Sequence, residues 1–463
     1  MASKSRSRAT YKCADCGWTT VKWVGRCGEC QAWGTVTEAG VTAARTAPSR
    51  VVERPAQAIG DIDVTSSAAK STGVGEFDRV LGGGLVPGAV VLVAGEPGIG
   101  KSTLLLDVAA RAARESRDVL YVSGEESAAQ VRMRAERIEA MARTLFLASE
   151  TDLATVLGQI EQVQPDLVII DSVQTIASAD IEGAAGNVAQ VREVAASVIQ
   201  HAKARNIAVM LVGHVTKDGA IAGPRVLEHL VDVVVQFEGE RHSRLRLVRA
   251  HKNRFGPTDE VGCFDLSEVG IVGLPDPSGL FLSRRDEPVS GTCVTVSLEG
   301  RRPLVAEVQA LLAPSGGGSP RRTTSGIDSS RTAMILAVVD QRVGAKVRDH
   351  DCYVSTVGGV RFTEPAADLA IALALVSAGS GHPLPAGCVA MGEVGLAGEV
   401  RAVAGIPRRL AEAARIGFTR AIIPTGSLGN EPIPAGMTVR EVDDLVAAVR
   451  LVDGAAQREQ SAS

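Results

Sequence analysis

Gly95-Glu96-Pro97-Gly98-Ile99-Gly100-Lys101-Ser102 is the stretch on which the fold of this chain turns. It fits the pattern G-x-x-x-x-G-K-[ST]. An apolar run, Val90 to Ala94, precedes it, and a helix-like stretch, Thr103 to Arg114, follows. Strand, glycine loop and helix is the context in which this pattern cradles phosphate. Gly95, Gly98 and Gly100 let the backbone curl so that its N–H groups face phosphate oxygens. The helix start adds partial positive charge. Lys101 brings a full charge to the β- and γ-phosphates, and Ser102 a hydroxyl for Mg²⁺. The expected nucleotide contacts therefore run from Gly95 to Thr103.

Outward from this loop, the 463 residues leave room for two or three domains of about 100–200 residues each. Aromatic residues make up only 3%, so the cores must rest on Val, Leu, Ile and Ala. The net charge is −4, so any nucleic-acid surface must come from local basic patches. No apolar run reaches about 18 residues, so no membrane span is expected. The early cations Lys4, Arg6, Arg8 and Lys12 are not followed by the apolar stretch of a secretory signal. The expected location is the cytoplasm.

Four of the eight cysteines cluster near the start. Cys13 and Cys16 form one C-x₂-C pair, Cys27 and Cys30 a second, with ten residues between the pairs. Gly17 and Gly28 mark tight turns. Two such knuckles place four thiolates tetrahedrally around Zn²⁺. Redox C-x-x-C motifs fit less well, because they belong in a βα context; an iron–sulfur cluster stays open. All three tryptophans, Trp18, Trp23 and Trp33, lie here. At least one is expected in the ribbon's small core. The alternative role left open for the others is stacking on a base beside Lys12, Lys22 and Arg26. Residues 1–36 are read as the ribbon and 37–58 as a linker.

Residues 59–285 read as an α/β domain. Beyond the glycine loop, strands Val119 to Ser123, Leu145 to Ala148, Leu167 to Asp171 and Ala208 to Val212 alternate with helices Ser127 to Met141, Leu153 to Val163 and Val188 to Arg205. Uniformly apolar strands between helices predict a mostly parallel sheet covered on both faces. Asp171 ends a buried strand and suits an outer Mg²⁺ ligand, or else caps the next turn. Glu125 or Glu126 could orient or deprotonate the attacking water. His214 is either a γ-phosphate sensor or a turn histidine. Lys217 and Arg225 lie on a glycine-containing loop that could meet DNA. Leu245 and Leu247 alternate with Arg244 and Arg246, predicting a strand with one buried face and arginines turned toward solvent, an anionic partner or a neighbouring subunit. Lys252-Asn253-Arg254-Phe255-Gly256 closes that strand.

The cysteine ribbon, the loop Gly95 to Ser102 and this last pentapeptide, in that order, resemble the bacterial RadA (Sms) DNA-repair ATPases over nearly the whole chain. The resemblance implies a RecA-like ATPase core assembled into hexameric rings. It implies that Lys252 and Arg254 reach the γ-phosphate of a neighbouring subunit, that Glu125 is the catalytic glutamate, that Asp171 lies on the Mg²⁺ side and that His214 senses the γ-phosphate. In residues 286–454, the stretches Val357 to Ala370 and Met391 to Val400 resemble the proteolytic domain of Lon proteases, an α+β fold. The Ser–Lys pair of those proteases falls on Ala366 and Pro407 here, which implies a scaffold without peptidase activity. A frayed tail is expected over 455–463.

The function so implied is an ATP-, Mg²⁺- and Zn²⁺-dependent motor on single-stranded and branched DNA, acting in repair and recombination beside a recombinase. DNA contacts are assigned to Lys217, Arg225, Arg244 and Arg246. Two rivals remain. An active ATP-dependent peptidase would require a different nucleophile, such as Ser355 or Ser377. An ATP-regulated protein-binding module would show no response to single-stranded DNA.

Overall fold

The computed structural model describes residues 11–38, 57–61, 68–214, 226–239, 244–283, 287–315, 319–345 and 347–460. The chain forms two compact units, residues 1–64 and 65–463.

The first unit holds a three-stranded antiparallel sheet. β1 (Tyr11–Cys13) lies between β2 (Thr19–Thr20) and β3 (Val36–Glu38). Its core is Cys13, Cys27 and Val36, with Tyr11, Trp18 and Val24 packed against them. Gly28 is required by that packing, since a Cβ there would stand 2.8 Å from the Trp18 ring. Of the three tryptophans only Trp18 serves the core. Trp23 and Trp33 are exposed, and the Arg26 guanidinium sits 5.7 Å over the Trp33 ring.

The second unit begins with α1 (Gly75–Leu81) and the strand–loop–helix of the glycine motif: β4 (Val90–Gly95), then α2 (Lys101–Arg114). There follow β5 (Val119–Ser123), α3 (Ala128–Arg137), β6 (Leu145–Ser149), α4 (Leu153–Val163), β7 (Leu167–Asp171), α5 (Val188–Arg205) and β8 (Ala208–His214). The helices begin where the sequence supplies caps. Ser127 opens α3 with a capping box to Gln130, Asp152 opens α4 and Asn187 opens α5. An antiparallel run completes the sheet: β9 (Val233–Glu238), β10 (Leu245–Asn253), β11 (Val261–Ser267) and β12 (Gly270–Gly273). The nine strands lie in the order β12-β11-β10-β9-β4-β8-β7-β5-β6, parallel from β9 to β6. Separate apolar clusters cover its two faces.

A second sheet follows: β13 (Thr292–Glu299), β14 (Arg302–Pro314), β15 (Arg322–Ser325) and, after α6 (Ser329–Val338), β16 (His350–Thr356). Then come α7 (Asp368–Ser380), β17 (Cys388–Ala390), the small pair β18 (Glu393–Val394) and β19 (Val400–Arg401), α8 (Ile406–Ile416), β20 (Arg420–Pro424), β21 (Thr438–Val442) and α9 (Leu445–Gln460). The sheet order is β15-β16-β14-β13-β17-β20-β21. α7 is apolar all round and buried along most of its length, as a helix at the centre of a core must be. The helix α9 runs to Gln460, past the expected domain end at 454.

The two sheets share a core. Leu245 and Cys263 of the first belong to the apolar cluster of the second, together with Phe281. This changes the reading of β10. Val248 and Ala250 face the cluster around α2, while Leu245 and Leu247 face the C-terminal sheet. Both faces are covered, so there is no open arginine face. Arg246 is 5% exposed and its Nε donates to the Ile99 carbonyl at 3.2 Å, behind the glycine loop. Arg249 bonds Glu238 at 2.9 Å and pairs with Glu299 at the end of β13. Arg244 remains outside, paired with Asp265 across the ladder.

The tip of the β13–β14 hairpin also grips α1. Arg302 is buried against the buried Glu76 carboxylate, and its other N–H groups donate to the carbonyls of Val261, Leu274 and Pro275 at 2.8–3.2 Å. Glu76 in turn accepts the Cys263 N–H at 2.9 Å. Removing one partner leaves a charge buried alone, so Arg302→Ala should destabilise residues 65–463 by about 3–5 kcal/mol. Chemical denaturation checks this, and the double change Arg302→Met with Glu76→Leu should recover much of the loss.

Candidate nucleotide and metal sites

The four cysteine sulfurs of the first unit lie within 4.8 Å of one another. Thr35 hydrogen-bonds the Cys13 sulfur at 3.2 Å and, with the Cys16 backbone N–H, holds that thiol down at about 6. At Cys30 the backbone hydrogen bond at Ala32 is outweighed by the crowded thiols of Cys16, Cys27 and Cys13 and by burial, so the thiol rises to about 12. Four sulfurs this close cannot all ionise without a cation among them. The donor set fits tetrahedral Zn²⁺. Because every tryptophan lies in this ribbon, a zinc chelator should red-shift tryptophan emission as Trp18 loses its packing. Far-UV circular dichroism of the helical second unit should hardly change.

The second site lies at the carboxyl ends of the central strands. Gly100, with φ 108°, turns the chain into α2 in a conformation that favours glycine. Lys101 is 3% exposed, and its Nζ donates to the carbonyls of Gly95 and Glu96, both at 2.9 Å. Burial pulls this amine down to about 8, against the opposing pull of Asp171 and Glu125. Pro97, Gly98, Gly100, Lys101, Ser102 and Thr103 line one wall of the cleft, and Glu125, Glu126, Asp171 and His214 the other.

Each opposing residue sits where a strand ends. Asp171 closes β7; Tyr121 of β5 donates to its Oδ2 at 2.7 Å. Burial, and then the Asp171 charge, push the Tyr121 hydroxyl well above its usual range, which keeps it protonated and donating. The other oxygen, Oδ1, is buried without a partner among the described residues, an acceptor that fits a group such as water on Mg²⁺. Glu125 accepts from the Ser172 hydroxyl at 2.6 Å and meets His214 Nε2 at 3.0 Å. His214 ends β8 opposite Gly95 in the ladder. Glu126 also lines the cleft, but it is paired with Arg134. Of the two adjacent glutamates, only Glu125 thus faces the His214 end of the cleft.

Lys252 and Arg254 lie elsewhere. Asn253 is level with Val233, and Val233 with Val91, at the start of β4. Val91 to Gly95 spans about 13 Å at roughly 3.3 Å per residue. The pair therefore stands at the opposite end of the sheet from its own glycine loop. Lys217 and Arg225 lie outside the described residues.

In the C-terminal sheet, Ala366 is wholly buried in a short turn before α7, and Pro407 lies in the first turn of α8. Close by in sequence, Glu364 and Arg409 form a two-pronged ion pair at 2.6 and 2.7 Å. The Ser377 hydroxyl is engaged with the His382 carbonyl and the Gly291 N–H.

Sequence reasoning missed Ser172, Tyr121 and Arg134, which carry no motif, and Asp232, described below. Asp232 did leave a signal, as a lone carboxylate in the run Leu230-Val231-Asp232-Val233.

Fold and site together define a RecA-like P-loop ATPase with an N-terminal zinc ribbon and a C-terminal Lon-protease-like α+β domain. Family models agree: an AAA domain over residues 65–220, a rubredoxin metal binding domain over 11–38 and the subunit ChlI of Mg-chelatase over 329–427. The chain is 54% identical to DNA repair protein RadA of Mycobacterium tuberculosis, covering 98% of this chain and 95% of that one. It is 52% identical to its namesake in Mycolicibacterium smegmatis, over 96% and 97%. It belongs to the RadA family of DNA repair proteins. Among solved structures, a KaiC-like protein of Pyrococcus horikoshii is similar at 19% identity and TM-score 0.39, covering 45% of this chain and all of that one. Among the described residues, no helix is long and apolar enough to cross a membrane.

Proposed function

We propose that the chain is a DNA-dependent ATPase of repair and recombination, working as a closed homo-oligomer, a hexameric ring, on single-stranded and branched DNA in the cytoplasm, beside a recombinase. The observation that carries this reading is the placement of Lys252 and Arg254. They are too far from their own glycine loop to serve it, and the half-exposed Arg254 side chain is left for a neighbouring subunit's nucleotide in this reading. In this reading Lys101 and the loop N–H groups hold the β- and γ-phosphates. Glu125, oriented by Ser172 and His214, takes the proton of the attacking water. His214 reports the γ-phosphate to Glu125. Mg²⁺, held by Ser102 and through water by Asp171, would neutralise phosphate charge. Lys252 and Arg254 of the adjacent subunit add positive charge where the transition state needs it.

Arg244 and the loop cations Lys217 and Arg225 stay as candidate DNA contacts; Arg246 does not, because burial removes it from any DNA surface. The C-terminal domain serves as a scaffold without peptidase activity, since Ala366 and Pro407 supply neither nucleophile nor base and Ser377 is committed to structural bonds. ATP turnover measured with and without single-stranded DNA across a salt series tests the reading. Stimulation should fall steeply with salt, as phosphate contacts require. Absent or salt-independent stimulation favours the protein-binding alternative.

A further inference from the structure

Asp232 joins three elements at the end of the sheet remote from the glycine loop. It is 4% exposed. Its Oδ2 accepts the Val90 N–H at 3.1 Å, at the first residue of β4. Its Oδ1 accepts from Arg254 Nη1 at 2.9 Å and from Lys203 Nζ, at the end of α5, at 3.3 Å. The backbone repeats the link. The Asp232 N–H donates to the Val90 carbonyl at 2.9 Å, and the Arg254 N–H to the Asp232 carbonyl at 3.2 Å. Lys252 caps the same segment, donating to the carbonyls of Glu228 and Val231 at 2.8 and 2.7 Å.

Two cations thus bond one buried carboxylate, with Lys252 as a third close by. Their mutual repulsion is felt at Lys252, whose amine is pulled down by burial and then by the Arg254 charge. Without Asp232 the like charges would drive Arg254 away from β4. With it, the guanidinium is held by a charge-assisted bond to an atom group that is itself bonded to the strand carrying the glycine loop.

We propose that Asp232 is a positioning residue for ATP hydrolysis: it fixes Arg254 to the base of β4, so that the cation offered to a neighbouring subunit is held in register with the subunit's own nucleotide site. This rests on Lys252 and Arg254 acting in trans.

A double-mutant cycle in the full-length protein tests it. Asp232→Asn keeps an acceptor for the Val90 N–H and loses the charge. It should lower DNA-stimulated kcat about tenfold or more while the Kd for a fluorescent ATP analogue stays within about threefold. Asp232→Glu, which keeps the charge, should recover part of the rate. In an Arg254→Ala background, Asp232→Asn should change the rate by less than about twofold, because the residue it positions is gone. An equal loss in both backgrounds would overturn the proposal, since Asp232 would then act independently of Arg254. Wild-type turnover by Asp232→Asn would overturn it too. Wild-type turnover by Arg254→Ala alone would remove the trans pair itself, and this role with it. If Asp232→Asn does not fold, Asp232→Glu runs through the same cycle with a smaller expected loss, confined to the Arg254 background.

Discussion

Lys101→Ala should cut ATP turnover by at least about 100- to 1000-fold, the range for losing a preorganised electrostatic contact to the reacting group. Lys101 is buried, and among the described residues its ammonium donates to the Gly95 and Glu96 carbonyls, with Asp171 and Glu125 as the nearby charges that favour it. Alanine leaves those carbonyls without a donor and the phosphates without their one full charge from the loop. Unchanged hydrolysis in purified variant protein would refute the site. The wild-type amine also carries a pH signature. Its value in the folded protein is lowered from 10.5 to about 8, so the folded state binds fewer protons than the unfolded chain between those values. This site therefore adds to stability as pH rises from about 8 toward 10.5, the reverse of a paired lysine. Phosphate reverses the shift. ATP binding near pH 8–9 should take up protons, seen as a dependence of calorimetric heat on buffer ionisation enthalpy, and Lys101→Ala should abolish the uptake.

Arg254→Ala should leave ATP binding within a fewfold of wild type and lower DNA-stimulated turnover by about 10³-fold or more, the lower part of the range for arginine fingers supplied in trans. The split between binding and turnover follows from placement. Arg254 touches Asp232, some strand length away from the glycine loop of its own subunit, so its loss leaves the resident phosphate contacts intact. Parallel loss of binding and turnover would point instead to a structural role. Turnover equal to wild type would remove the trans contact altogether.

The glycine loop and the cysteine ribbon were legible because their chemistry is local: spacing, glycine and charge within a few residues set both. Apolar runs located the strands and helices through β8, although the helix expected over Ser127 to Met141 ends at Arg137. Pairing across the chain was not legible. Arg246 reads as a solvent-facing arginine until the α2 cluster and the glycine loop cover its face of β10 while a second sheet covers the leucine face, and no local pattern announces either. Glu76 and Arg302 meet across 226 positions. Glu125 and Glu126 look alike in sequence, and only Arg134, one helical stretch later, separates them. The distance between Lys252 and the glycine loop depends on strand order, which alternating runs do not reveal.

Mixing Arg254→Ala subunits with Lys101→Ala subunits tests the central claim most directly. Each alone is expected to turn over ATP at least about 100-fold more slowly than wild type. In a mixed oligomer some junctions pair an intact glycine loop from the first with an intact Arg254 from the second, so DNA-stimulated ATP turnover should reappear as the two are titrated together. Mixed oligomers of verified composition that stay as inactive as either parent would contradict it.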